Sequence, residues 1–125
     1  MKFRRLGGDY AVYRLPADAS VPAWATKGEF TSITRTADEL SIVCPAGSFP
    51  STIDPGPRWI GLQLEGPFSF AQTGVLLSFI EPLSANQVPI FAISTCDTDY
   101  VFVQERYVGR AVELLEGAGH QVVQT

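Results

Sequence analysis

The chain has 125 residues, a net charge of −4 from nine Lys and Arg against thirteen Asp and Glu, and a hydrophobic fraction of 46% that argues against disorder. That length can bury one core, or two very small modules sharing one, without disulfide or metal staples. The acidic balance disfavours nucleic acid as a partner, and no apolar run is long enough for a membrane span or a signal peptide.

Residues 9–15 alternate as a strand, with Tyr10, Val12 and Arg14 on one face, and Pro16 ends it because it has no amide to donate. Ser20 and Pro22 suit a helix start, but Gly28 follows within two turns, so a short helix at most is expected. Residues 29–35 and 39–43 flank the turn Thr36-Ala37-Asp38 as a hairpin, with Leu40, Ile42 and Cys44 on one face. The stretch 45–57 is dense in Pro, Gly and Ser. It reads as a long connection with at most one helical turn, and it sets the expected division into a unit 1–57 and a unit 58–125.

Residues 58–65 form the next strand, with Ile60, Leu62 and Leu64 on one side and Gly66-Pro67 closing it. A helix is expected from about residue 71, with Leu76, Phe79, Ile80 and Leu83 as its buried stripe and Pro82 kinking or ending it. Residues 88–103 make a strand-turn-strand hairpin whose polar turn carries Asp97 and Asp99. A second helix over 107–118 buries Val108, Ala111, Val112 and Leu115, and 121–124 is a last short strand.

The second half therefore reads strand, helix, strand, strand, helix, strand, a ferredoxin-like α+β unit. The first half reads strand, short helix, strand, strand. Phe30 with Phe91, Thr34 with Thr95, Asp38 with Asp99 and Ile42 with Val103 share an offset of 61 residues, which points to two copies with the first reduced.

Catalytic groups are scarce. His120, the sole histidine, sits beside Gly119 and is expected to be a surface turn residue rather than a base. Cys44 ends an apolar strand face and reads as core, while Cys96 stands beside two carboxylates, a poor setting for a nucleophile. The two cysteines have neither metal-ligand nor disulfide-framework spacing, so a cytoplasmic protein without metal or cofactor is expected.

Asp97 and Asp99 admit three readings. An Asp in a hairpin turn often bonds only its own backbone. A metal would need further oxygens from Thr95, Thr98 or Glu105 to converge. Alternatively, the strand following residue 58 places Gly66 and its neighbours near residues 94–99, and the first amides of the helix at Thr73, Gly74 and Val75 face a ligand carboxylate. Asp97 or Asp99 would then take an ammonium or guanidinium group, with Phe68 or Phe70 covering the aliphatic part.

Glu65-Gly66-Pro67-Phe68-Ser69-Phe70, Thr73-Gly74-Val75-Leu76, Pro82-Leu83 and Ile93-Ser94-Thr95-Cys96-Asp97-Thr98-Asp99-Tyr100 together resemble the small bacterial ACT-domain proteins. These are related to the amino-acid-sensing modules of aspartate kinases and CASTOR arginine sensors. The resemblance implies a ferredoxin-like ACT fold in two tandem units, the first reduced, and a non-catalytic regulatory module binding a small amino acid at a domain or dimer interface. It carries the site onto Phe68, Thr73, Gly74, Val75, Ile93, Ser94, Thr95, Asp97, Thr98 and Asp99. A homodimer is expected, because the open face of a small sheet needs covering. The alternative is a module of the same fold that binds no ligand and serves an unknown protein partner.

Overall fold

Residues 1–66 and 73–123 are described by a computed structural model. Its strands, in chain order, are β1 (Lys2–Arg5), β2 (Tyr10–Leu15), β3 (Ser32–Arg35), β4 (Leu40–Pro45), β5 (Trp59–Leu64), β6 (Ile90–Ser94), β7 (Asp99–Gln104) and β8 (Gln121–Val122). Its helices are α1 (Val75–Ser84) and α2 (Val108–Gly117), and 3-10 turns cover Ala23–Thr26, Ala46–Ser48 and Glu105–Tyr107. The chain forms two compact units, Gly7–Trp59 and Met1–Leu6 with Ile60–Thr125.

In the Gly7–Trp59 unit, β4 lies between β2 and β3 and is antiparallel to both. Strand alternation sends Leu40, Ile42 and Cys44 to one face, where all three are fully buried with Ala25 of the first 3-10 turn. No α-helix covers this face among the described residues. Trp24 and Phe49, their rings 4.6 Å apart, and the edge-on Tyr13 occupy that space instead.

Burial pushes the Cys44 thiol from its ordinary value of 9.0 up to about 11. A thiol reagent at neutral pH should therefore modify the exposed Cys96 and spare Cys44 until the chain is denatured. The unfolded chain ionises Cys44 first, so this group's contribution to stability is present below pH 9 and is lost as the pH rises towards 11. Reaction of both thiols in the native protein would contradict this burial.

In the second unit the strand order is β6-β7-β5-β1-β8. The sequence from β5 to β8 runs β-α-β-β-α-β, as expected for a ferredoxin-like unit, but β1 is an addition that the sequence pattern did not announce. It runs antiparallel to β5 and parallel to β8, and so separates the two. Phe3, Ile60, Leu62, Leu64, Val101 and Val103 point to one face and pack on Phe79 and Leu83 of α1 and Ala111 and Leu115 of α2.

Pro82 lies inside α1, which nevertheless continues to Ser84. Proline has no amide hydrogen, so the carbonyl four residues back, on Ser78, loses its helical donor. His120 Nε2 lies 3.1 Å from that carbonyl oxygen, while its Nδ1 lies 3.1 Å from the Met1 amino nitrogen. A carbonyl only accepts, so the ring proton sits on Nε2 and Nδ1 accepts from the amine. His120 is thus buried, 8% exposed, and not the surface turn residue that its glycine neighbour suggests. Its ring meets Phe79 edge-on, with centroids 5.2 Å apart.

The two hairpins share one construction. Arg35 pairs with Leu40 and Ser94 with Asp99, each closing a four-residue turn. The Thr36 amide bonds the Glu39 carbonyl at 2.8 Å, and the Thr95 amide bonds the Thr98 carbonyl at 2.8 Å. Each threonine hydroxyl also receives the amide of the last turn residue, at 3.2 and 3.4 Å. Strand β4 with its 3-10 turn at Ala46–Ser48 matches β7 with its turn at Glu105–Tyr107, residue for residue. The two hairpins therefore match at a spacing of 59 residues, not at the 61 read from the sequence.

Candidate functional site

The turn between β6 and β7 is fixed to the end of β5. Thr98 is only 6% exposed, and its hydroxyl donates to the Leu64 carbonyl at 2.7 Å. Beside that bond, the chain leaving β5 presses on the turn: a Cβ built on Gly66 would lie 2.8 Å from the Asp97 carbonyl oxygen and 3.1 Å from Thr98 Cβ. Only glycine permits backbones to approach so closely. The segment after β5 and the turn at residues 94–99, expected to be neighbours, are in contact through Gly66.

Of the residues expected in the site, Ile93 and Ser94 end β6, Thr95, Asp97 and Thr98 form the turn, and Asp99 opens β7. The Ser94 hydroxyl donates to Asp99 Oδ1 across the closing pair, so this carboxylate braces the hairpin. Asp97 is exposed. Thr73 and Gly74 are exposed, Gly74 adopting the left-handed φ of 76° that admits the chain to α1, and Val75 is its first residue. Phe68 and Phe70 lie outside the described residues. Among the described residues, no three His, Cys, Asp or Glu side chains are grouped so as to hold a metal ion.

Gly66 also lines a cleft of about 260 Å³, together with Phe3, Arg4, Gln63, Glu65 and Val123. Sequence reasoning missed it, because two of its walls come from β1 and from the residue after β8. The available signal was the alternation Lys2, Phe3, Arg4 ahead of Leu6, too short to distinguish from chance. Among the described residues, no helix is long and apolar enough to cross a membrane.

The β-α-β-β-α-β order is that of a ferredoxin-like unit, and comparison with known proteins assigns it to a family. The ACT-domain family model matches residues 55–117, about half of the chain, and a separate model described as an N-terminal domain matches residues 8–52. The chain belongs to the ACT-domain family. ACT domains are non-catalytic regulatory modules, and this chain is one of them.

A solved protein of Agrobacterium tumefaciens is 44% identical, with 98% of this chain and 91% of that one covered and a TM-score of 0.88. A Vibrio cholerae protein of unknown function is 18% identical, covering 90% of this chain and 85% of its own, with a TM-score of 0.75. The fold also recurs in an allosteric aspartate kinase of Clostridium acetobutylicum, at 13% identity and a TM-score of 0.62, over 93% of this chain and 33% of the kinase. No curated protein matches the sequence.

Proposed function

We propose that this chain is a regulatory module that binds a small amino acid beside Gly66, with the Ser94–Asp99 turn as one wall, and that binding shifts how modules associate. The observation that carries this reading is the contact of Gly66 with Asp97 and Thr98 in a chain of the ACT family. It joins the segment after β5 to a turn with an exposed carboxylate, Asp97, suited to an ammonium group.

The Gly7–Trp59 unit is proposed to be a second, reduced ACT-like copy. Support comes from the matching hairpins and the shared strand orders, β3-β4-β2 and β6-β7-β5. Where β7 and its 3-10 turn lead into α2, the first unit reaches Phe49 before Pro50, and a residue before proline is driven to extended backbone; Phe49 has φ −67° and ψ 140°. Two such chains are proposed to form a homodimer in the cytoplasm. The other reading, a ligand-free interaction module, is favoured by the Ser94–Asp99 bond, which already employs one of the two carboxylates in shaping the hairpin.

A thermal-shift screen against the twenty proteinogenic amino acids at millimolar concentration separates these readings. A ligand at about a hundred times its Kd adds about 2.7 kcal/mol, enough to raise Tm by several degrees. The expected result is a shift for one or two amino acids, lost in Asp97→Ala while the unliganded Tm is unchanged. A flat screen would overturn ligand binding and leave the interaction module.

A further inference from the structure

The two hairpins are built alike, but each holds the segment leaving its neighbouring strand in a different way. In the Gly7–Trp59 unit, Arg35, Leu40 and Leu15 lie in one row across the sheet, which brings the Arg35 side chain within reach of the chain that leaves β2. Residues 16–19 turn there, closed by the Ala19 amide on the Pro16 carbonyl at 3.0 Å. The Arg35 guanidinium donates through Nη1 to the Ala17 carbonyl and through Nη2 to the Ala19 carbonyl, the latter at 2.8 Å. A second guanidinium, that of Arg14, donates to the Asp38 carbonyl at 2.9 Å.

The hairpin match places Ser94 where Arg35 stands and Asp97 where Asp38 stands. Strands β2 and β5 both have six residues, so Arg14 falls on Gln63, and Ala17, two residues past its strand, falls on Gly66. Both turns keep their aspartate, but only the first unit carries cations at the matching positions. In the second, Gln63 is neutral and the Ser94 hydroxyl turns to Asp99 instead of to the segment after β5.

Resting on the amino-acid reading above and on the two units being copies, we propose that Arg35 is an internal stand-in for the ligand. Its guanidinium fills, beside Ala17, the place that the ligand's cationic group takes beside Gly66 in the second unit. A guanidinium has only donors to offer, and two backbone carbonyls accept from it in charge-assisted bonds. Being tethered, it competes at an effective concentration that a free ligand must exceed to displace it. Each chain therefore binds one amino acid, and the Gly7–Trp59 unit keeps its closed hairpin whether or not that ligand is present. Ligand-driven change is confined to the unit that lacks the arginine.

The test is a thermal-shift titration of the full chain with L-arginine and with methylguanidinium chloride, which carry the group that is deleted. Arg35→Ser, which installs the residue of the matching position, is compared with Arg35-containing protein, both in the Asp97→Ala background so that the second unit's site is silent. Arg35→Ser should melt a few degrees lower, and either guanidinium compound should raise its Tm while leaving Arg35-containing protein unmoved. Methylammonium chloride at the same concentration, which lacks the planar fork, should restore less. Arg35→Gln, which keeps a donor but no charge, should respond in the same direction if Arg35→Ser does not fold. A lowered Tm that no guanidinium compound restores would make Arg35 an ordinary brace and overturn the proposal, as would an equal response with Arg35 in place. Either result beside a selective amino-acid shift in wild-type protein would overturn this proposal alone. A flat amino-acid screen of wild-type protein would remove the ligand whose place Arg35 takes, and overturn both.

Discussion

Phe79→Ala is expected to lower the stability of the ACT-type unit by about 3–5 kcal/mol, the usual cost of emptying a large aromatic site in a core. Phe79 is fully buried at the centre of α1, and its ring meets Phe3 edge-on with centroids 5.2 Å apart. Beyond the transfer energy, each edge-on aromatic contact contributes about 0.5–1.5 kcal/mol. The substitution therefore loosens β1 as well as the helix, since Phe3 is one of four residues in that strand. Urea denaturation should show a lower midpoint at an unchanged slope. A loss below about 1 kcal/mol would mean that the cavity collapses without cost, contrary to the close packing around it.

His120→Ala is expected to cost about 1–3 kcal/mol through the hydrogen bond alone, because it leaves the Ser78 carbonyl without a donor. The diagnostic is a second substitution. In Pro82→Ala the restored amide can bond Ser78 in the ordinary helical way, so His120→Ala should be less costly in that background. Equal costs with and without Pro82 would show that the histidine is there for its packing on Phe79 and not for the carbonyl. Phe79 and His120 are in contact, so their own double substitution should be non-additive.

Long-range pairing is what separates the legible parts of this molecule from the rest. Helices α1 and α2 were legible because Phe79 with Leu83 and Ala111 with Leu115 repeat at helical spacing and are the positions that end up buried. Strand β4 was legible because Leu40, Ile42 and Cys44 alternate. Strand β1 was not, because four residues hold barely two alternations and their partners lie about sixty and about one hundred and twenty positions away. His120 was misread because the cause of its burial is an amide missing from Pro82. The two hairpins match at 59 residues and were read at 61 for a related reason: side chains alternate with period two, so a two-residue slip returns every strand residue to its own face. Only the closing pairs of the hairpins resolve it. At the candidate site, the Gly66 approach to the turn was readable from glycine beside a loop, whereas Arg4 and Glu65 became neighbours only through β1.

The place of β1 also fixes an order of events during synthesis. Residues 7–59 are contiguous and leave the ribosome as a complete set. Strand β1, translated before them, pairs with β8 through Lys2 with Gln121 and Phe3 with Val122. At about 5–20 residues per second, that edge of its sheet waits several seconds for its partner. Residues made well before the rest of their sheet are among the last of it to be fully paired.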